Sequence, residues 1–326
     1  MAEELLKLEN LKVSIRTKKG EIYPVDGINL EIPNKSIVGL VGESGCGKSM
    51  TAMSVMGLLP SGGKISEGAI YLEGEKISEF TPEQMRKITG EKMAIIFQEP
   101  MTSLNPVVRV GKQVEEVLKL HTDLNKKQRK EKVIEMFRQV GIPEPEERYL
   151  SYPFQLSGGL RQRIMIAMAM ICSPSLLIAD EPTTALDVTI EAQILHLMRQ
   201  LKNETGTSIL MITHNLGVVA ELCDWVNVMY MGQIVESTDT LSIFDEPLHP
   251  YTRGLIRSVP KIQLEQEPLQ NIPGMVPNMT EVPEGCRFCP RCECATERCK
   301  TEKPDLYLYK ENHKVRCFLY ENKKQS

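Results

Sequence analysis

The opening third of the chain alternates short apolar runs with polar, turn-forming connections. Residues 11–15, 28–32, 37–41, 69–72 and 93–97 each read as a strand bounded by Gly-, Lys- or Glu-rich sequence, and a helix is predicted directly after Gly47. From about 108 to 149 the pattern changes. Val114, Val117, Leu118, Val133, Met136, Phe137 and Val140 recur at three- and four-residue spacing, which predicts amphipathic helices, and Pro143 and Pro145 close that stretch. Strand–helix alternation then returns, with strands at 176–179 and 208–212 around a helix at 188–201. Such alternation implies an α/β fold, a mostly parallel sheet covered by helices, into which a helical segment is inserted. The expected organisation is a core at 1–107 and 155–240, a helical insert at 108–154 and an extension at 241–326. Beyond Glu236 the chain is punctuated by Pro247, Pro250, Pro260, Pro268, Pro273, Pro277 and Pro283 and reads as an extended appendage.

Composition narrows the class. The 326 residues are 41% hydrophobic and 25% charged, the balance of a globular protein about two domains long. Lys and Arg number 39 against 43 Asp and Glu, a net charge of −4, so no electrostatic footprint for nucleic acid is present. The longest uncharged apolar run, 164–179, contains Ser173, Pro174 and Ser175 and stops at Asp180, too short and broken to span a bilayer. Residues 1–10 open with Glu3 and Glu4 and lack a basic region leading into an apolar one, so no signal peptide is expected and a cytosolic location is. Six of the nine cysteines fall between Cys286 and Cys317. In a reducing compartment such a cluster reads as a metal or iron–sulfur site before a disulfide framework.

The run Gly42-Glu43-Ser44-Gly45-Cys46-Gly47-Lys48-Ser49 fits G-x-x-x-x-G-K-[ST] and lies between a predicted strand and a predicted helix. Its glycines allow successive N–H groups to converge on a phosphate, and the helix N-terminus adds its dipole. The candidate ATP-binding residues are Gly42 to Ser49 with Met50. Lys48 is expected on the β/γ oxygens and Ser49 on Mg²⁺. Leu176-Leu177-Ile178-Ala179-Asp180-Glu181 supplies a buried strand ending in two carboxylates, where open α/β sheets bind ligands. Asp180 is expected to hold Mg²⁺, and Glu181, one residue on, to act as general base for the attacking water.

A third element, Leu156-Ser157-Gly158-Gly159-Leu160-Arg161-Gln162-Arg163, opens a helical run with a second anion site at Ser157, Gly158 and Gly159. Here the chain resembles the ATP-binding subunits of ABC transporters, although Leu160 stands where Gln or Met is commoner. The resemblance implies a RecA-like P-loop core with a helical subdomain. Gln98 looks like the Q-loop glutamine that touches Mg²⁺, Ala185-Leu186-Asp187 like the D-loop, and His214 like the switch histidine on the γ-phosphate. Thr184 stands where Ser is commoner. In that family two subunits pair head-to-tail, so Ser157, Gly158, Gly159 and Asp187 would face the partner's nucleotide. For adenine, Tyr23 is the nearest aromatic. A Tyr beside Pro24 is equally at home in plain packing.

A closer resemblance spans nearly the whole chain. Tyr152-Pro153-Phe154-Gln155-Leu156, Met165-Ile166-Ala167-Met168-Ala169, Glu181-Pro182-Thr183-Thr184-Ala185-Leu186-Asp187-Val188-Thr189, His249-Pro250-Tyr251-Thr252-Arg253-Gly254-Leu255 and Gly285-Cys286-Arg287-Phe288 look like dipeptide/oligopeptide importer ATPases, nearer the D-type than the F-type member. Phe154 and Cys289 depart from positions where His is common. The resemblance implies an F-type paralogous ATPase, two transmembrane permease subunits and, indirectly, an extracytoplasmic solute-binding protein as partners. It implies a peripheral place on the cytoplasmic face of the membrane. It also implies a [4Fe-4S] cluster on Cys286, Cys292, Cys299 and Cys317, with zinc and free thiols as alternatives and Cys289 and Cys294 as extra thiols. Nickel, oligosaccharide or another solute could replace peptide under the same mechanism. A soluble non-transport ABC ATPase would normally carry two cassettes or long coiled-coil insertions, where this sequence shows one cassette, no coiled-coil heptads and no basic surplus. An iron–sulfur redox protein would leave the signature, Gln98 and His214 unexplained.

Overall fold

The computed structural model describes residues 4–18, 20–98, 103–184, 186–258 and 272–321. Glu3, Ala185, Pro260 and Pro268, named above, lie outside them. The chain forms two compact units: one built mainly from 79–210 with 33–36, the other from 6–32, 37–78 and 211 onward.

In the first unit, β6 (Met93–Ile96) and β7 (Leu176–Asp180) pair in parallel, from Met93 opposite Leu176 to Ile96 opposite Ala179. The strand β8 (Ser208–Thr213) lies beside β7 and carries the chain on into the second unit. Every residue of β7 and β8 is buried, which explains why their apolar runs do not alternate with polar residues. The helices Val110–His121 and Lys126–Gln139 bear out the expected period. The first buries Val110, Val114 and Leu118, the second Val133, Ile134, Met136 and Phe137. Asn125 starts the second helix by accepting from the Lys127 and Gln128 amides, while the Gln128 side chain accepts from the Asn125 amide. Glu115, buried on the first helix, takes bonds from Lys112 and the Tyr149 hydroxyl, with Arg129 at 3.5 Å. Pro145 departs from expectation. The helix ends before it, at Gln139, and Pro145 begins a short helix, Pro145–Arg148, because its missing N–H costs nothing in a first turn.

The second unit holds two sheets. One has the order β2-β1-β4-β5, built from β1 (Glu4–Thr17), β2 (Gly20–Pro33), β4 (Gly63–Leu72) and β5 (Glu75–Lys76). The other runs β11-β12-β10-β9-β3: β3 is Ile37–Val41, β9 Trp225–Tyr230, β10 Gln233–Asp239, β11 Tyr307–Lys310 and β12 His313–Val315. β3 and β9 are parallel; β9, β10, β12 and β11 are antiparallel in turn.

The C-terminal segment is therefore not an extended appendage. Its hairpin prolongs the sheet, and Tyr251, on the helix Pro250–Arg257, is fully buried. Glu236, wholly buried on β10, accepts from the Leu248 and His249 amides and lies 2.7 Å from His313 Nε2, tying the segment to the sheet. Among the described residues no helix is long and apolar enough to cross a membrane.

Candidate functional site

The five buried residues of β3 deliver the chain into the P-loop in the second unit. Gly42, Gly45 and Gly47 have φ of 157°, 80° and 111°. Space is as restrictive as the backbone. A Cβ on Gly42 would fall 2.2 Å from the Met229 carbonyl oxygen, and one on Gly47 would fall 2.0 Å from that of Pro24. The Cys46 carbonyl accepts from the Gly232 amide at 2.8 Å, so the turn between β9 and β10 braces the loop. Lys48 is 4% exposed; its Nζ donates to the carbonyls of Gly42 at 2.7 Å and Glu43 at 3.1 Å. Its ammonium is thus already held against the loop that would cradle a phosphate. Ser44 is exposed, Cys46 is buried, and Ser49 and Met50 are half-buried in the first turn of the helix Lys48–Met56. Burial pushes the Cys46 thiol's pKa up, which fits a neutral packing role. Tyr23 donates to Glu21 at 3.1 Å, and the Lys12 ammonium lies 4.9 Å from its ring centroid.

In the first unit, the parallel strands β6 and β7 end on the same edge, and this brings Gln98 to Glu181. Gln98 Nε2 donates to Glu181 Oε2 at 2.9 Å. The Thr184 hydroxyl donates to the same oxygen at 2.9 Å. Thr184 therefore keeps the donor that a Ser would supply, a role the sequence reading noted only as a departure. Glu181 has φ of 47°, a left-handed conformation that turns the chain sharply after Asp180, the last residue of β7, which is 6% exposed. In the second unit His214 is exposed just beyond the end of β8, where Asn215 caps the helix Leu216–Leu222.

Ser157 caps the helix Gly158–Met170, its hydroxyl accepting from the Leu160 amide at 3.3 Å. Ser157 and Gly158 are exposed. A Cβ on Gly158 would meet nothing in this chain closer than 3.9 Å, so internal packing does not require glycine there. Asp187 caps the helix Val188–Thr205 through the Ile190 amide at 2.9 Å.

The six clustered cysteines, Cys286, Cys289, Cys292, Cys294, Cys299 and Cys317, line one cavity of about 130 Å³ in the second unit. All six are free thiols. Burial raises the pKa of Cys292 to about 12 and that of Cys317 to about 11. Such thiols stay protonated at neutral pH unless a cation takes up the thiolate. Soft sulfur donors around one enclosed space fit an iron–sulfur group or zinc. Among the described residues, no three His, Cys, Asp or Glu converge as ligands of a single ion.

A family model described as ABC transporter matches residues 25–184, and one described as Oligopeptide/dipeptide transporter, C-terminal region, matches residues 235–299. The oligopeptide transport ATP-binding protein AppD of Bacillus subtilis (strain 168) is 51% identical over 97% of this chain and 97% of its own length. The chain belongs to the ATP-binding proteins of oligopeptide and dipeptide ABC transporters. Other relatives in this family include the dipeptide transport ATP-binding protein DppD of the same strain, 44% identical over 98% of this chain and 96% of its own. The cassette fold is shared with the solved ATP-binding cassette MJ0796, a dimer in a post-hydrolysis state bound to ADP and phosphate. That likeness has a TM-score of 0.66 at 26% identity and covers 72% of this chain and 99% of the other.

Two contacts to the P-loop escaped the sequence reading. Arg291 forms a bidentate pair with Glu43, and the Tyr251 hydroxyl accepts from the Glu43 amide at 2.8 Å. Glu43 and Arg291 lie 248 residues apart, so no local pattern announces their pairing.

Proposed function

We propose that this chain is the D-type ATPase of a peptide importer, hydrolysing ATP to drive di- or oligopeptide uptake through two permease subunits. The observation that carries this reading is the junction of Gln98 with Glu181 at the ends of β6 and β7, in a chain whose P-loop glycines adopt positive φ. Gly42 to Ser49, with Met50, cradle the triphosphate, and Lys48 turns from the loop carbonyls to the β/γ oxygens. Ser49, Asp180 and Gln98 would hold Mg²⁺, which supplies charge neutralisation on the phosphates. Glu181 accepts a proton from the attacking water, oriented by Gln98 and Thr184, and His214 contacts the γ-phosphate. If Tyr23 stacks on adenine, Lys12 must first leave its ring.

Ser157, Gly158, Gly159 and Asp187 serve the nucleotide of a second ATPase, an F-type paralogue, in a head-to-tail dimer. The solvent-facing helix start and the unfilled space over Gly158 support this role. ATP then closes the pair, and loss of the γ-phosphate opens it. The helical segment 108–149 and the loop at Gln98 would pass this motion to the permeases at the cytoplasmic face of the membrane. The solute-binding protein acts through the permeases, and no nucleic acid takes part.

The thiol cavity is proposed to hold a [4Fe-4S] cluster through Cys286, Cys292, Cys299 and Cys317, as structural support for the C-terminal segment. Six thiols around one cavity supply the sulfur ligands that such a cluster uses. The importer reading is tested in proteoliposomes containing the chain, its paralogue and the permeases. Peptide-loaded binding protein should stimulate ATP turnover and peptide accumulation. Stimulation by nickel- or oligosaccharide-loaded protein alone would replace the solute, and none at all would reject import.

A further inference from the structure

The segment carrying the thiols reaches the P-loop directly, and it does so by charge. Arg291 lies in the turn between Cys289 and Cys292, its side chain 4% exposed. Nη1 and Nη2 donate to the two carboxylate oxygens of Glu43 at 2.7 and 3.0 Å, while Nε donates to the Pro273 carbonyl at 2.9 Å. This fork geometry fixes both partners, which a lysine's point charge would not do. A second arginine of the same segment, Arg287, bonds Asp26 and the Met231 carbonyl. Met231 precedes Gly232, whose amide donates to the Cys46 carbonyl of the P-loop.

Glu43 places a carboxylate within the loop that must take up a triphosphate. Its backbone carbonyl accepts from Lys48 Nζ at 3.1 Å, and its carboxylate hangs from that same loop residue, held by Arg291. An unpaired carboxylate there would repel the polyanion and compete for Lys48. We infer that Arg291 is a positioning residue for nucleotide binding: it neutralises Glu43, pins it away from the phosphates, and so makes P-loop affinity depend on the thiol-bearing segment. The inference rests on reading Gly42 to Ser49 as the nucleotide site.

Binding of a fluorescent ATP analogue with Mg²⁺ to the full chain tests it. Arg291→Ala should weaken binding roughly tenfold, about the effect of one unscreened charge near a phosphate. Adding Glu43→Gln to that variant should restore most of the lost affinity, and Glu43→Gln alone should tighten binding. Salt near 1 M, where the screening length falls to about 3 Å, should shrink the Arg291→Ala deficit. Arg291→Lys, which keeps the charge and disturbs packing least, should give a smaller loss that Glu43→Gln also rescues. Unchanged binding in Arg291→Ala, or a double variant as weak as the single one, overturns the inference and leaves Arg291 a packing residue. A wild-type chain that binds no nucleotide would remove the P-loop reading as well, an outcome distinct from a normal wild type with silent variants.

Discussion

Gln98 Nε2 and Glu181 Oε2 meet at 2.9 Å, and the Thr184 hydroxyl reaches the same oxygen. Two neutral donors on one carboxylate oxygen hold the Glu181 side chain in place. Glu181→Gln keeps the shape and removes the proposed base. It should lower ATP turnover roughly a hundred- to ten-thousand-fold with nucleotide binding retained. Phosphate release and equilibrium binding, measured side by side, check this; undiminished hydrolysis rejects Glu181 as the base.

Thr184→Val removes a donor to a charged acceptor without changing volume. The loss is about 1.5 kcal/mol, which predicts a turnover roughly tenfold lower at unchanged KM for ATP. A raised KM with normal kcat would instead place Thr184 in substrate binding.

The P-loop glycines separate conformational need from spatial need. Gly47→Ala combines a φ of 111° with a Cβ 2.0 Å from the Pro24 carbonyl. It should abolish nucleotide binding and cost at least ~2 kcal/mol of stability. Gly45→Ala, at φ of 80° with nothing within 4 Å of its Cβ, should cost only about 1 kcal/mol. Thermal melts of the two variants compare these costs, and equal losses would contradict the geometry.

His249 predicts an acid-side instability. Its Nδ1 accepts from the Tyr251 amide at 3.1 Å, and burial lowers its pKa from 6.5 to about 4. The unfolded chain therefore binds a proton there that the folded chain refuses. Stability from this residue is full above pH 6.5 and is lost as pH falls through 4. His249→Asn keeps an acceptor for the helix start and removes the titration. The variant should be less stable at neutral pH but lose less on acidification to pH 4. Parallel melting profiles for the two proteins would refute the assignment.

The sequence announced those parts of the fold that local chemistry dictates. The uninterrupted apolar runs of β3, β7 and β8, the three- and four-residue spacing of Val133, Met136 and Phe137, and the helix opening at Ser157 are all properties of neighbouring residues. The C-terminal hairpin was hidden because β11 and β12 gain their place by pairing with β10 rather than from a strong pattern of their own. The contacts of Arg291 with Glu43 and of Tyr251 with the Glu43 amide were hidden for the same reason. Thr184 was visible only as a deviation from Ser, and its use became clear once the turn after Asp180 brought it to Glu181.

The cysteine segment carries a spectroscopic prediction. Anaerobically purified protein should be brown, absorb broadly near ~400 nm, and lose iron when Cys286, Cys292, Cys299 or Cys317 is changed to Ser. A colourless preparation with one zinc per chain would contradict the cluster.

Nucleotide acting as the clasp between two ATPase subunits is tested most directly by the mass of the purified pair in solution. With Glu181→Gln in this chain and the matching change in the proposed paralogue, Mg-ATP should convert separate chains into a stable heterodimer, and ADP should not. Identical masses with ATP, with ADP and without nucleotide would contradict the account.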